Sequence, residues 1–172
     1  PLFLFIGLWI KLDSKGKIFY KQTLVGKNNT DFSLYKFRTM RADSDKSGLL
    51  TVGGRDNRIT GAGYYLRKFK LDELPQLINI IKDEMSFVGP RPEVRKYVDL
   101  YNEEQKKVLT VLPGITDIAS IKYRNENELL EKAEDPEKYY IEYVMPDKLK
   151  LNLEYIEQRS FGNDIKVIFK TI

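Results

Sequence analysis

The sequence predicts an α+β domain, mostly helical, with one short β-hairpin. Apolar residues recur at helical spacing through most of the chain, and a single polar Gly-Asn turn separates two short alternating runs. No repeat, low-complexity linker or change of composition marks a second globular unit, and 172 residues suffice for one sizeable core.

The stretch from Pro1 to Ile10 is almost wholly apolar, and Lys11 and Asp13 end it. A helix that crosses a bilayer needs about 20 such residues, so this stretch cannot cross alone. A buried core helix or strand would read the same way. The lack of a polar face, with Trp9 and Lys11 near its end, favours a membrane interface. No basic segment precedes it and no small-residue cleavage pattern follows, so a signal peptide is not indicated.

From Lys17 the pattern alternates. Ile18, Tyr20, Thr23 and Val25, then Phe32, Leu34, Tyr35 and Phe37, flank the polar turn from Gly26 to Asp31, which predicts the hairpin. Its second strand sets Lys36 and Arg38 two residues apart on one face, where two cations either hold a diphosphate or form a solvated face. Arg41 to Gly54 is a polar loop in which Asp43 and Asp45 are candidate auxiliary acids. Thr60 is a candidate N-cap for a short helix. Gly61 and Gly63 lack the third Gly and the preceding strand of a dinucleotide fingerprint and read as permitting close packing. Arg67, Lys68 and Lys70 are either a phosphate- or headgroup-binding face or a solvated one.

Leu74, Leu77, Ile78 and Ile81 fall at i, i+3, i+4 and i+7, which predicts a helix with a buried apolar face. Pro75 is tolerated only in a first turn, so Asp72 and Glu73 are placed at the N-terminal lip. Unpaired N–H groups and the helix dipole there favour ionised carboxylates. The pair reads as an N-cap with a first-turn acid, or as a nucleophile and metal ligand. Gly89-Pro90-Arg91-Pro92 is a rigid turn holding one guanidinium, suited to bidentate phosphate binding.

Val94, Tyr97, Val98, Tyr101, Val108, Leu109 and Leu112 predict one helix from Glu93 to Leu112, ended by Pro113-Gly114. Such a helix can lie in a membrane interface or on a soluble surface. Glu126 to Asp135 is acid-rich and helical. Helical segments continue from Tyr139 to Ile156, interrupted at Pro136 and Pro146, and Ile165, Ile168 and Phe169 predict a final amphipathic helix. Asp164, at its start, is either an N-cap or first-turn acid or an active-site support.

Lys plus Arg number 29 against 25 Asp plus Glu, a net charge of +4, with a pI near 9.1. That bias is shared by nucleic-acid binders, proteins on anionic membranes and enzymes for polyphosphate substrates. The absence of Cys excludes disulfides and thiolate chemistry, and the absence of His removes the usual general base and transition-metal ligand. Any metal held here by oxygen would be a hard cation such as Mg²⁺.

Four stretches in order, Lys36-Phe37-Arg38-Thr39-Met40, Leu71-Asp72-Glu73-Leu74-Pro75-Gln76-Leu77, Met85-Ser86-Phe87-Val88-Gly89-Pro90-Arg91-Pro92-Glu93 and Pro113-Gly114-Ile115-Thr116, resemble the ordered signature of the bacterial sugar transferases. These are the monotopic polyprenyl-phosphate phosphoglycosyl transferases that begin capsule, exopolysaccharide, O-antigen and glycoprotein glycan assembly. The similarity runs from about Pro1 to the C-terminus.

The resemblance implies transfer of a sugar-1-phosphate from a UDP-sugar to polyprenyl (undecaprenyl) phosphate, giving polyprenyl-diphosphate-sugar and UMP. It implies Asp72 and Glu73 as catalytic residues, Asp72 forming an aspartyl-phosphosugar intermediate, with one or both holding Mg²⁺. Lys36, Arg38, Arg91 and Arg124 would bind the phosphates and nucleotide, Arg67 the lipid phosphate, and Asp164 would support the site. Residues 1–12 would be the second half of a re-entrant membrane helix kinked at Pro1, with its first half preceding Pro1, and residues 13–172 the catalytic domain. Interfacial amphipathic helices would seat the enzyme monotopically on the cytoplasmic face of the inner membrane. The partners implied are UDP-sugar, polyprenyl phosphate and the membrane surface, without nucleic acid, and a homo-oligomer is left open. Asp83 departs from the usual Gly, Asn152 from the usual Asp, and Tyr123 precedes Arg124-Asn125 where the family often has Gly-Arg-Asn. A nucleic-acid-binding domain and a non-catalytic membrane scaffold are the rival readings; neither would depend on Asp72.

Overall fold

The structure, a computed structural model, describes residues 1–42, 44 and 56–171. Asp43 and Asp45 lie outside the described residues. The chain is mostly helical and carries a short antiparallel hairpin, as its sequence predicts.

Strands β1 (Phe19–Val25) and β2 (Asp31–Phe37) pair with Tyr20 opposite Lys36 and Gln22 opposite Leu34. Asn28 and Asn29 take the left-handed backbone that lets the chain reverse between them, which short polar side chains tolerate best. One hairpin face buries Leu24 and Leu34 against Met85. Further along, the same face carries Gln22 and Lys36.

Helix α1 (Leu2–Asp13) buries Ile6 and Ile10 against Phe37 and Leu66, while Leu4, Phe5, Leu8 and Leu12 stay exposed. Helix α2 (Gly61–Lys68) starts at Thr60, whose hydroxyl accepts the Gly63 N–H at 3.0 Å. Its docking point is Thr39. The Thr39 carbonyl accepts the Thr60 N–H at 2.9 Å, the Thr39 hydroxyl accepts Arg67 Nε at 2.9 Å, and a Cβ at Gly63 would collide with that carbonyl. Gly63 therefore serves close packing, whereas a Cβ at Gly61 would meet only the end of the flexible Asp13 side chain.

The Asp-Glu stretch is a 3₁₀ segment, Leu71–Gln76, that runs into helix α3 (Leu77–Ile81). Its expected burial is inverted. Leu77, Ile78 and Ile81 are exposed, Ile81 by 83%, whereas Asp72, Gln76 and Asn79 are buried. Asn79 explains the inversion. Its side chain accepts the Tyr35 N–H at 3.1 Å and donates to the Ser33 carbonyl at 2.8 Å and to Glu84 at 2.7 Å. It thereby covers the free edge of β2, whose backbone groups need partners once buried. Asp83 follows with φ 56°, a left-handed residue at which Gly is free of strain and Asp is tolerated.

Strands β3 (Ser86–Val88) and β4 (Gly114–Thr116) pair in parallel, joining the third and fourth signature stretches. Gly114 N donates to the Pro90 carbonyl at 3.0 Å, and a side chain at Gly114 would strike Gly89. The expected helix from Glu93 to Leu112 is not continuous. It forms α4 (Arg95–Val98) and a separate 3₁₀ turn, Gln105–Thr110. Between them Asn102 and Gln105 exchange side-chain-to-backbone hydrogen bonds of 2.9 Å, a local competitor of helix. Tyr97, Val98, Tyr101 and Val108 are nevertheless all buried in the main core.

Helices α5 (Ile118–Lys122), α6 (Glu126–Glu131), α7 (Pro136–Tyr139), α8 (Met145–Glu157) and α9 (Phe161–Thr171) complete the chain. Pro146 does not interrupt the helical run. A π-turn over Tyr140–Val144 precedes it and absorbs its missing N–H at the start of α8. No helix among the described residues is long and apolar enough to cross a membrane.

Asn79→Ala strips partners from the Tyr35 N–H and Ser33 carbonyl, and a loss of roughly 3 kcal/mol is expected from two such groups left unpaired. Urea unfolding checks this; a loss below about 1 kcal/mol would show that the edge of β2 needs no cover.

Candidate active site

The site is assembled by the turn between α2 and α3. Lys70 adopts φ 55°, a left-handed position that ends α2 and swings the following residues back toward the hairpin. Leu71 and Leu74 then pack beside Phe37 and Leu66. With these anchors fixed, Asp72 faces inward, 7% exposed, in a cleft of about 750 Å³.

Glu73 is held from two sides. Arg91 Nη2 donates to Glu73 Oε1, and Lys36 Nζ lies 3.6 Å from the same oxygen. Burial pushes the Glu73 carboxyl up, but the charges of Arg91 and Lys36 and the hydrogen bond from Arg91 outweigh it and pull it down to about 2. In turn, Glu73 drives the Arg91 guanidinium pKa up. Burial lowers the Lys36 ammonium pKa despite the charge of Glu73.

Asp72 sits differently. Its Oδ1 is buried and has no hydrogen-bond partner among the described residues. Burial first, and then the charge of Glu73, raises its pKa above the ordinary carboxylate value, against the pull of Lys36, Arg67 and Lys70. The expectation that a helix lip would favour its ionised form is thus reversed. The helix is only a short 3₁₀ turn followed by the five residues of α3, so its dipole is small beside the cost of burial.

Arg91 is positioned by a residue that sequence reasoning missed. Asp117, fully buried, caps α5 through a 2.5 Å bond from Ser120 N, and its other oxygen accepts the Arg91 N–H at 3.1 Å. Arg91 Nη1 also reaches the Ile115 carbonyl at 3.3 Å. An Asp directly before Ile-Ala-Ser is a legible N-cap signal; its second role depends on the β3–β4 pairing.

The structure brings Lys36, Arg67, Arg91, Asp72 and Glu73 to one cleft. Arg38 also lines it, but its guanidinium donates to the Lys15, Ser14 (2.8 Å) and Ile10 (3.3 Å) carbonyls, clasping the end of α1. Arg124 and Asp164 do not line this cleft. Arg124 is exposed and donates to the Lys170 and Thr171 carbonyls at 3.4 and 3.3 Å, while Asp164 accepts the Tyr155 hydroxyl. Arg58, ion-paired with Asp56, is a further cleft cation; nothing in its sequence surroundings distinguished it.

A family profile described as bacterial sugar transferase matches residues 1–172. The chain belongs to the bacterial sugar transferase family. It is 36% identical over its whole length to a UDP-N-acetylgalactosamine-undecaprenyl-phosphate N-acetylgalactosaminephosphotransferase of Aeromonas hydrophila, covering 38% of that protein. A UDP-glucose:undecaprenyl-phosphate glucose-1-phosphate transferase of Escherichia coli is 33% identical over the whole chain, which covers 35% of it. A sugar transferase of Bacillus subtilis is 36% identical over 99% of the chain, here covering 76% of the relative. The chain thus spans little more than a third of the first and second of these relatives and about three quarters of the third.

Of the Asp72–Glu73 pair, one buried oxygen is open to a divalent cation. No cluster of three or more Asp and Glu side chains occurs among the described residues, and Glu73 is committed to Arg91 and Lys36. Of the buried carboxylate oxygens among the described residues, Asp72 Oδ1 alone is unpartnered, which fits a Mg²⁺ bound by one carboxylate and completed by substrate phosphates.

Glu73 has a folded pKa of about 2 against 4.5 unperturbed, so its contribution to stability, roughly 3 kcal/mol, is present above pH 4.5 and is lost as pH falls toward 2. Without added divalent cation, the stability margin of the parent over Glu73→Gln is expected to be largest at neutral pH and to shrink through that window. Denaturant titrations at pH 7 and pH 3 measure it, and an equal margin at both would refute the ion-pair account.

Proposed function

We propose that the chain is the catalytic part of a phosphoglycosyl transferase that moves a sugar-1-phosphate from a UDP-sugar to polyprenyl phosphate. The observation that carries the proposal is the division of labour in the Asp-Glu pair. Glu73 is neutralised by two cations, while Asp72 keeps a buried, unpartnered, more basic oxygen in a cleft lined by eight cations and three carboxylates among the described residues. Such a cleft suits two phosphate-bearing substrates. The names of the Aeromonas and Escherichia relatives support the same donor and acceptor classes.

Lys36 and Arg91, fixed by Glu73, hold the donor diphosphate. An oxygen of Asp72 attacks the β-phosphorus, the bond from that phosphorus to the bridging oxygen breaks, and UMP leaves with the electron pair. The sugar-phosphoryl group remains on Asp72 as an acyl phosphate. An oxygen of the lipid phosphate, drawn in by Arg67, then attacks the same phosphorus and releases the Asp72 carboxylate, giving polyprenyl-diphosphate-sugar. A bound Mg²⁺ would be held by Asp72 and would neutralise phosphate charge. Glu73 is a positioning residue in this scheme.

The exposed apolar side chains support a membrane seat. Leu4, Phe5, Leu8 and Leu12 on α1, Tyr64 and Tyr65 on α2 and Ile81 on α3 face outward, and Trp9 lies tilted against Tyr65 with ring centroids 6.1 Å apart. Residues 1–12 read as a helix seated in the membrane on the cytoplasmic face of the inner membrane, with residues 13–172 as the catalytic unit.

UMP release from a panel of UDP-sugars with polyprenyl phosphate and Mg²⁺, measured on the intact protein, tests the reading. Asp72→Asn is expected to lower it by on the order of 10³-fold or more. Release at the parent rate in that variant would discard the covalent scheme. Because the raised Asp72 pKa must be exceeded for attack, the acid limb of kcat/KM should lie above 3.8, the ordinary value. A pH–rate profile flat down to that value would contradict it.

A further inference from the structure

A second compartment, of about 220 Å³, adjoins the cleft at the Lys36–Glu73–Arg91 cluster. Gln22, Lys36, Arg91 and Asn127 line both spaces. The chemistry of the two walls differs. Where the cleft carries eight cations to three carboxylates, the smaller compartment has three, Lys36, Arg91 and Lys148, to two, Glu93 and Glu126, and adds the amides Gln22, Gln76, Asn127 and Asn152.

Two of those amides are incompletely paired. Gln76 is 1% and Asn152 4% exposed, and Gln76 Nε2 and Asn152 Oδ1 have no hydrogen-bond partner among the described residues. Buried amide groups are normally satisfied, so an orphan donor and an orphan acceptor in one wall mark a place where a ligand supplies both. Hydroxyl groups do this. The remaining polar groups are fixed: Lys148 pairs with Glu126 at 2.9 Å and lies 5.4 Å over the Tyr140 ring, whose hydroxyl is bound by Glu93.

We propose that this compartment receives the sugar of the nucleotide-sugar donor, that Gln76, within the signature stretch, holds it there, and that Asn152, where the family usually has Asp, selects which sugar is accepted. The inference rests on the donor class proposed above. Beyond Lys36 and Arg91 at its border the wall has one cation, Lys148, and that is paired with Glu126, so a phosphate finds no open cation inside it. A nucleobase would call for an open aromatic face to stack on. Here the Tyr140 ring already carries the Lys148 ammonium, and Tyr101 is 8% exposed within the main core. Size points the same way. A space of 220 Å³ is below the roughly 300–1,000 Å³ of pockets that take a whole drug-sized ligand, so it takes one ring and leaves the nucleotide and lipid phosphate to the larger cleft. Lys36 and Arg91, at the border, then hold the diphosphate that joins the two parts.

The selectivity follows from the wall. A site that hydrogen-bonds a particular hydroxyl or acetamido group rejects an analogue lacking it, because its own buried groups are left unpaired. Substituting Asn152 or Gln76 therefore acts on the sugar and not on the nucleotide.

The test is calorimetric titration of the intact protein, without polyprenyl phosphate, using UDP, UDP-glucose, UDP-galactose, UDP-N-acetylglucosamine and UDP-N-acetylgalactosamine. Parent, Asn152→Leu and Gln76→Met are compared, with Glu126→Gln, at the half-exposed wall, as the replacement should either core variant unfold. The affinity of the best-bound UDP-sugar should fall by about tenfold or more while that of UDP stays within about twofold. An unchanged UDP-sugar affinity, an equal loss for UDP, or a parent that binds none of the four UDP-sugars overturns the proposal. Failure of the transferase reading looks different. Sugar-dependent binding that is lost in the variants, with no lipid-dependent UMP release by the parent, would remove the transfer reaction and keep the sugar compartment.

Discussion

Arg91, Lys36 and Glu73 come from the Gly-Pro-Arg-Pro turn, the second hairpin strand and the turn after α2, and they meet around a single carboxylate oxygen. Each loses hydration on the way in, and the attraction among them compensates only while all three are in place. The arrangement is therefore sensitive to every element that carries a member. The parallel β3–β4 pair and Asp117 fix Arg91, the hairpin register fixes Lys36, and the left-handed Lys70 fixes Glu73.

That cluster also decides the chemistry of its neighbour. Because Glu73 takes up both cations, Asp72 is left with a negative neighbour, a buried environment and one oxygen without a partner. A carboxylate in that state is a stronger nucleophile when ionised than one held in an ion pair. Adjacent acids of similar intrinsic pKa have been driven apart by surroundings alone, one fixed as a counter-ion and the other left with an unpartnered oxygen.

Polar burial and apolar exposure are coupled around this turn. Asn79 and Gln76 face inward to cover the β2 edge and to line the small compartment, which leaves Leu77, Ile78 and Ile81 facing outward. In water this arrangement would be costly. The proposed membrane seat would remove that cost, and α1 presents exposed apolar residues of the same kind. The site and the proposed membrane seat are thus two sides of one packing choice.

The hairpin, the Thr60 cap, the close packing at Gly63 and the final helix were legible in the sequence, because each depends on a local preference of backbone or side chain. So was the grouping of Lys36, Arg91, Asp72 and Glu73, through the order of the signature stretches. Local pattern misled at Leu77-Ile78, where helical periodicity reports a two-sided helix but not which side meets the protein. It misled again between Glu93 and Leu112, where Asn102 and Gln105 bond locally against helix continuation. Arg38 and Arg124 are cations like Lys36 and Arg91 in sequence. Only the folded chain places backbone carbonyls in reach of the first two and a carboxylate in reach of the others, since such neighbours come from residues far apart along the chain. For the same reason no motif announced Asp117, and neither the signature stretch that holds Gln76 nor the departure at Asn152 told that the two amides share one wall: burial and an absent or distant partner are properties of the packed chain, while residue type and spacing are properties of the sequence.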